Sequence, residues 1–567
     1  MRSRTFLDLP LELLDEGVLR RLDFRDVLRC SATCKYLSDV VRALPALQLK
    51  VELGSDGIID DSISPYDTSM SSFERLHRHL DLRRRWRTLR WHTSDYMQLP
   101  PAWQWEFFEQ KGNTFVQCDS ELYPDLDKPH SSHTIFRLTP ETSMIRSSVW
   151  PNSGVWSADH ALDCHHDLIA FLERHPDADE DMATISNPEG ILRIHLHALS
   201  SNLAHPKART KVLYCCCPMG AVQFSSVCRF EIFDDMLSIC LKSDRSVYLA
   251  IWNWQSGNLV VDHTFEDNDG YPSIAFRTYA FLTSRIILAV SDATSGALDI
   301  YTLSDGSSPR KEEKRAAGSI PGLTHRARLQ LPPMKEEWRY RDLGVAASHF
   351  SPTTPPALLL VTLTCVGDLG HAAFRLVVSI RNILRYASDS LCSSSHKPPF
   401  IPWERWGPTS SRLFSELPTE VDEPLEHWWP NFIVGNRMVM NLCTASGPRN
   451  PRNPPFEIVE FGYQLLRDPQ FALTRNTCQW GQPDFKKGLP PTPLRYQSMM
   501  EPLRLAVTDH GPFAIAVETG LPYHSVQVEI FPCSGPRPEF GIDDRHLYFL
   551  HDGPDEDSPT AMRVFSF

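Results

Sequence analysis

No run of about 18 uninterrupted apolar residues occurs in the 567 residues, so no helical membrane span is expected. The N-terminal residues hold no apolar stretch ahead of a small-residue cleavage site, and no secretory signal is expected either. Basic charge is in deficit: 57 Lys and Arg face 70 Asp and Glu, for a formal net charge of −13. Wholesale nucleic-acid binding, which needs a basic face, is therefore not expected. Glycine is scarce beside proline, 27 against 45, which favours many loops and few long helices. The sequence also lacks the G-x-x-x-x-G-K-[ST] phosphate loop, the H-E-x-x-H zinc helix and the G-x-S-x-G nucleophile elbow. Fourteen cysteines without a secretory signal predict reduced thiols in the cytoplasm or nucleus.

What is present has three textures. Hydrophobic residues make up 42% and charged residues 22%, the balance of a folded chain, and the length calls for more than one core. Residues 5–45 are helical: Leu11, Leu14, Val18, Leu19 and Leu22 recur at three- and four-residue spacing on one face. Gly17 falls inside that first period, where glycine costs about 1 kcal/mol against alanine. Asp23 is placed to cap a second helix, and Ser31 a third beginning near Ala32. Residues 46–99 form a linker. "LQLKVELGSDG" alternates like a strand, and "SFERLHRHLDLRRRWRTLRW" returns to a helical period with seven arginines between Arg75 and Arg90.

Residues 100–567 predict an all-β domain. Apolar runs are followed, after a turn or loop, by alternating strands: "DLIAFLERH" with "GILRIHLHAL", "MLSICLKSD" with "SVYLAIWNW", "RIILAVSD" with "GALDIYTL" and "ALLLVTLTC" with "AFRLVVSI". "RMVMNLCT" with "FEIVEFGY", "PFAIAVET" with "SVQVEIFP" and "HLYFLHD" with "MRVFSF" continue the series, and "TFVQCD" with "TIFRL" is a weaker eighth. Seven, or eight, repeated hairpins predict a β-propeller rather than a sandwich, because both strand faces are apolar in "SVYLAIWNW". There Val247, Leu249 and Ile251 share one face and Tyr248, Ala250 and Trp252 the other. The stretches 304–319 and 445–456 are charged or proline-rich interruptions.

The opening stretch resembles an F-box. The motif's Leu-Pro-x-Glu start is Leu9-Pro10-Leu11-Glu12, its apolar helix holds Leu13, Leu14, Val18, Leu19 and Leu22, and Asp26-Val27-Leu28 leads into the run Arg29–Leu37. Helices this short cannot bury all their apolar side chains, and the surplus face suits a partner. The linker is similar to the post-F-box region of F-box proteins from mushroom-forming fungi, which continue into a tryptophan-rich β domain. "WNWQSGNLV", "IPWERWGPTSSR" and "HWWPNFIVGNRMV" resemble that domain's landmarks. The resemblance implies a non-catalytic substrate-receptor subunit of a cullin-based SCF ubiquitin ligase. The F-box would dock on a Skp-type adaptor and the β domain would recruit a target protein. An alternative is a propeller interaction scaffold whose F-box is degenerate and has no ubiquitin role.

The residues implied for adaptor binding are Leu9, Pro10, Leu11, Glu12, Leu13, Leu14, Leu19, Leu22, Val27 and Leu28. For Leu9, Pro10, Leu13 and Leu14, closing a small core is the competing role. No cofactor and no metal is expected. Cys30 and Cys34, at i,i+4, suit helix packing, and Cys215 to Cys217 alternate across a strand and cannot share one ion. His195 and His197 share a strand face near His165-His166-Asp167 without a third ligand. The aspartate pairs in "IFDD" and "GIDD" are expected as turn formers rather than as catalytic carboxylates. The arginines of the linker helix are expected to pair with the acidic remainder of the chain.

Overall fold

A computed structural model describes residues 9–56, 58, 70–91, 93–98, 108–119, 131–138, 145–151, 153–173, 185, 190–217, 227–242, 246–266, 276–291, 296–304, 322–348, 357–368, 370–387, 398–416, 433–441, 456–461, 494–508, 511–528, 539–551 and 561–567. Nearly all of the two low-complexity stretches, and the first half of "HWWPNFIVGNRMV", lie outside these residues.

Five helices come first. They are α1 (Leu11–Gly17), α2 (Phe24–Thr33), α3 (Lys35–Ala43), α4 (Pro45–Ser55) and α5 (Ser72–Thr88), with a 3₁₀ turn at Leu19–Arg21 after α1. Asp23 caps α2 as expected, its Oδ1 accepting from the Arg25 N–H at 3.0 Å. Ser31 caps nothing. It lies inside α2, where its hydroxyl donates to the Leu28 carbonyl, and α3 starts after Cys34. Gly17 is the last residue of α1 rather than a mid-helix position.

The strand expected in "LQLKVELGSDG" is a helix, α4. Its alternation has a different physical origin. Leu47 and Val51 face the core shared with α1, α2 and α3, whereas Leu49 and Leu53 pack with Leu76 of α5. Two residues along a helix turn about 200°, so a helix buried on both sides repeats apolar residues at every second position. The Arg-rich segment is helical as expected. It opens on a capping box in which Ser71 N–H donates to Glu74 at 2.8 Å and Glu74 N–H donates to Ser71 Oγ at 3.3 Å.

The remainder is dominated by β-strands, almost wholly antiparallel, with short helices at Ile380–Leu384 and Trp403–Ser410. Among the described residues, seven sheets of four or five strands follow one another, beside one two-stranded pair. Sheet 1 holds Phe108–Lys111, Thr114–Asp119, Ser132–Leu138 and Ile145–Trp150. Sheet 2 holds Ser157–Asp163, Leu168–Glu173, Ile191–Ala198 and Val212–Cys216. Sheet 3 is Val227–Phe233, Met236–Lys242, Ser246–Asn253 and Asn258–Glu266. Sheet 4 is Phe276–Thr283, Ile286–Ser291, Ala297–Leu303 and Leu323–Gln330, with Phe400–Ile401 added in parallel at its edge. Sheet 5 is Trp338–Ala347, Leu358–Gly367, Gly370–Ser379 and Ser411–Glu416. Sheet 6 is Ile433–Val434, Arg437–Asn441, Phe456–Phe461, Tyr523–Val528 and Leu494–Met499. Sheet 7 joins Glu539–Ile542, His546–His551 and Ala561–Ser566 to Thr93–Gln98, a strand contributed from the stretch taken as linker.

The hairpins expected from sequence form, with one exchange. "TFVQCD" and "TIFRL" pair fully inside sheet 1. "PFAIAVET" and "SVQVEIFP" do not pair. Val517–Thr519 joins Leu503–Leu505, and Tyr523–Val528 joins sheet 6. The physical reason is that Phe513 and Val517 point into the core between sheets 4 and 5, so their spacing serves packing rather than a ladder.

Successive sheets share cores. Apolar clusters join sheets 1 and 2, 2 and 3, 3 and 4, 4 and 5, 5 and 6, and 6 and 7. The rings of Phe115 in sheet 1 and Tyr548 in sheet 7 meet edge-on at 4.9 Å. Sheet 3 shows why its sequence is apolar on both faces. Val247, Leu249 and Ile251 pack toward sheet 4, and Tyr248, Ala250 and Trp252 toward sheet 2. After it, Gly257 supplies the positive φ of +77° that the Gln255–Asn258 turn requires.

Candidate functional site

The helical module has a small core of its own. Leu14, Leu19, Val27, Leu37, Val40, Val41, Leu47 and Val51 are buried together, with Leu22, Leu28, Cys30 and Cys34 packed against them. The ten residues implied for partner contact therefore divide. Leu14, Leu19 and Val27 are fully buried and build the core. Leu22 and Leu28 are half-buried at its rim. Leu9, Pro10, Leu11, Glu12 and Leu13 are exposed. Leu9 is 36%, Leu11 43% and Leu13 57% accessible, an apolar cluster left in water at the start of α1.

Polar contacts hold that surface in place. The Pro10 carbonyl accepts from Leu14 N–H at 3.0 Å, starting the helix. Asp15, buried at the back of α1, receives Arg20 through Nε at 3.0 Å and Nη2 at 2.7 Å. The hydrogen bond that Arg20 donates to Asp15 raises the Arg20 pKa above its usual value. Lys50 of α4 then donates to the Arg20 carbonyl at 2.6 Å. The exposed leucines thus stand on a braced turn rather than a frayed end.

The module is tied to the β domain through α5. Arg83, buried on the inner side of α5, donates to Asp56 at 2.6 Å and to Glu52 at 2.7 Å. His79 lies 2.9 Å from Asp56. Burial pushes the Asp56 carboxyl up, but the His79 hydrogen bond and the Arg83 charge outweigh it, leaving the group below the usual carboxylate range. One turn on, Arg87 donates to Glu460 of sheet 6 at 2.9 Å. Burial likewise opposes the charge on Glu460, and Arg87 and Arg437 outweigh it and lower its pKa. Between these ion pairs, Trp86 stacks on Phe567 with ring centroids 4.0 Å apart, and its Nε1–H donates to the Asp544 carbonyl at 3.0 Å. The Arg437 guanidinium lies 5.1 Å from the Trp86 ring centre.

Sequence inspection took the arginines of α5 to be paired with acidic residues, and four of those partners are now identified: Glu52, Asp56, Asp81 and Glu460. It did not single out Trp86. The available signal was the three- and four-residue spacing of Leu76, His79, Arg83 and Trp86, which marks the inner face of the helix.

The remaining candidate groups are spread over the molecule. Cys215 and Cys217 are buried and Cys216 is exposed, on opposite faces of their strand. His195 lies 2.7 Å from Glu173, His197 2.9 Å from Asn202, and His166 2.9 Å from Asp163. No group of three or more His, Cys, Asp or Glu side chains among the described residues is arranged to hold a metal ion. The aspartate pairs sit at turns. Asp234 has a φ of +55°, and Asp543 accepts from Arg545 N–H, His546 N–H and the Tyr548 hydroxyl. No helix among the described residues is long and apolar enough to cross a membrane.

The family model of the F-box domain matches residues 6–47, the span that holds α1, α2, α3 and the start of α4. No curated protein sequence matches the chain. Similar solved structures include a polysaccharide lyase, Uly1, at 8% identity, covering 81% of this chain and 89% of that one with a TM-score of 0.37. They also include Hsv2 of Kluyveromyces lactis, at 9% identity over 63% of this chain and 93% of that one, TM-score 0.24. The WD40 repeats of RRP9 match at 9% identity over 50% and 81%, TM-score 0.23. Likeness at these TM-scores decides nothing about function.

Proposed function

We propose that the chain is a substrate-receptor subunit of a cullin-based SCF ubiquitin ligase, working in the cytoplasm or nucleus. The single observation that carries this is the F-box at 6–47, whose exposed Leu9, Leu11 and Leu13 stand on a folded, braced module. The F-box docks on a Skp-type adaptor through those leucines with Pro10 and Glu12. The β domain recruits the target protein. The chain itself supplies no reacting group. Its contribution is to hold a target near a charged ubiquitin-conjugating enzyme, raising the local concentration of one against the other.

In this proposal the β domain is a seven-bladed propeller. Support comes from seven successive sheets, each sharing a core with the next, and from the Phe115–Tyr548 contact between first and last. Pairing of Thr93–Gln98 with Ala561–Ser566 gives one blade strands from both ends of the domain, which is how such a ring is closed.

The test is co-purification with a Skp-type adaptor. Leu13→Asp, on the exposed face, abolishes capture without lowering thermal stability. Leu14→Ala, in the core, lowers stability by about 2–5 kcal/mol. Capture of adaptor by Leu13→Asp at the wild-type level would put the docking face elsewhere. If the intact chain captures no adaptor at all, the reading fails in favour of an interaction scaffold with a degenerate F-box.

A further inference from the structure

In a chain of net charge −13, residues 190–217 contain Arg193, Lys207, Arg209 and Lys211 and not one Asp or Glu. This stretch is the outer half of sheet 2, the strands Ile191–Ala198 and Val212–Cys216 with the loop between them. All four cations are exposed. Arg193 reaches Glu173 at 3.4 Å, and His195 lies 2.7 Å from the same carboxylate. The patch also leaves two large side chains in water, Leu203 at 69% and Tyr214 at 58% accessibility. Tyr214 lies directly across the strand pair from Arg193.

The loop that carries three of the cations is held from within. Ala198 N–H donates to the Leu203 carbonyl at 2.7 Å, His205 N–H to Leu196 at 2.9 Å and Leu196 N–H to Lys211 at 3.0 Å. His205 Nε2 lies 2.9 Å from the His166 carbonyl, and Arg209 N–H donates to Gln255 in the neighbouring sheet at 2.9 Å. Leu203 is therefore exposed on a fixed loop, where ordering is already complete before anything binds. Alongside it, Val212–Cys216 is the outermost strand of its sheet, and no further strand pairs with it among the described residues. Such an edge can accept an extended peptide by main-chain hydrogen bonding.

We propose that this outer edge of sheet 2 is the target-docking surface, and that it takes an extended acidic segment of the partner protein. Main-chain hydrogen bonds to Val212–Cys216 set the direction of the segment. Its carboxylates meet Arg193, Lys207, Arg209 and Lys211, and an apolar side chain packs on Tyr214 and Leu203. Charge favours such a segment here, because the four exposed cations attract its carboxylates in a chain that is acidic overall. The proposal rests on the substrate-receptor reading for its biological meaning, but the binding itself does not depend on the F-box.

The experiment is selection of a randomised ten-residue peptide library displayed on phage against the full-length chain. Wild type enriches acid-rich sequences, and a Lys207→Glu, Arg209→Glu, Lys211→Glu variant lowers their capture by about tenfold or more. Tyr214→Ala with Leu203→Ser lowers capture while the acidic preference stays. All five positions are exposed, and unchanged thermal unfolding confirms that the variants fold. Enrichment of sequences without acidic residues, no enrichment at all, or equal capture by the charge-reversed variant overturns the proposal. Tighter binding of a 20-nucleotide single-stranded RNA than of the selected peptides, lost in the same variant, also overturns it and makes the patch a nucleic-acid contact. Adaptor co-purification is measured on the same variants. Peptide capture without adaptor capture leaves the docking surface standing and sinks the receptor reading.

Discussion

Two glycines in the helical module show how far residue identity alone can mislead. Gly17 and Gly54 both fall within apolar stretches of the helical module, and the sequence treats them alike. At Gly17 an added Cβ meets nothing within 4 Å, and the residue ends α1. At Gly54 the same atom would lie 2.4 Å from the Phe24 ring and 2.8 Å from Phe24 Cβ, too close for the ring to swing clear. Gly17→Ala is therefore neutral or stabilising by up to about 1 kcal/mol. Gly54→Ala forces α4 away from α2 and destabilises by about 1–3 kcal/mol. Urea unfolding followed by far-ultraviolet dichroism separates the two, and equal effects would contradict the close α2–α4 approach.

A second pair of residues, His160 and Asp159 at the junction of sheets 1 and 2, sets opposing pH dependences. Burial lowers His160 to about 4 and raises Asp159 to about 7. A buried neutral histidine contributes stability above its unfolded value near 6.5, which is lost as pH falls toward 4. A carboxyl with a raised pKa acts in reverse, contributing below about 3.8 and losing it as pH rises toward 7. Between pH 4 and 6.5 the two nearly cancel. Asp159→Asn exposes the histidine, so stability rises with pH across that window by about 3 kcal/mol; His160→Phe exposes the carboxyl, and stability falls by a similar amount. Urea midpoints measured at half-unit pH steps check both slopes, and parallel slopes in the two variants would contradict the assignment.

Helix α5 carries most of what sequence inspection did not resolve. Its helical period is plain, and so is the expectation that its arginines find acids, but the partners lie up to 373 residues away and no local pattern names them. The neighbouring α4 looks like a strand in sequence for a related reason: its every-second-residue spacing follows from being covered by α1–α3 on one side and α5 on the other. Short-range pattern captured the β hairpins well, because antiparallel strands joined by turns are local. It missed the exchange at Pro512–Thr519, where Phe513 and Val517 serve a core built from distant sheets. Within the candidate site, the motif marked the segment that the F-box model matches, yet only the fold separates exposed Leu11 and Leu13 from buried Leu14. The joint itself is testable. Arg87→Ala leaves Glu460 buried without its close partner, Arg437 lying 3.7 Å away, and costs about 3 kcal/mol or more. Adding Glu460→Gln to that variant recovers part of the loss, because the two residues act as one unit. Strict additivity of the two single effects would show that α5 is not anchored through this pair.

Taken as a whole, the molecule places its two proposed docking surfaces on one continuous framework. From the braced leucines of α1, the path runs through the buried core to α4, through Arg83 and Asp56 to α5, and through Trp86 and Arg87 into sheets 6 and 7. Immediately after α5 the chain enters sheet 7 as Thr93–Gln98, beside Ala561–Ser566. The same sheet therefore receives the helical module and joins the first part of the β domain to the last. Proline at Val564 tests this arrangement, because Val564 is fully buried and its strand is paired on both sides, by Asp95 and Tyr548. Val564→Pro removes a ladder hydrogen bond and strains the strand Ala561–Ser566, lowering stability by about 3 kcal/mol or more. The loss propagates: opening sheet 7 exposes Phe565 and Phe567 and frees Trp86 from its stacking partner, so α5 loosens together with the β domain. Hydrogen exchange then shows faster exchange in sheets 1, 6 and 7 and in the second half of α5, while the core around Leu14, Val27 and Val40 keeps its protection. Adaptor capture persists, and peptide capture at sheet 2 falls only as far as the β domain unfolds. Exchange confined to the substituted strand would mean that sheet 7 is an end of the array and not its closure.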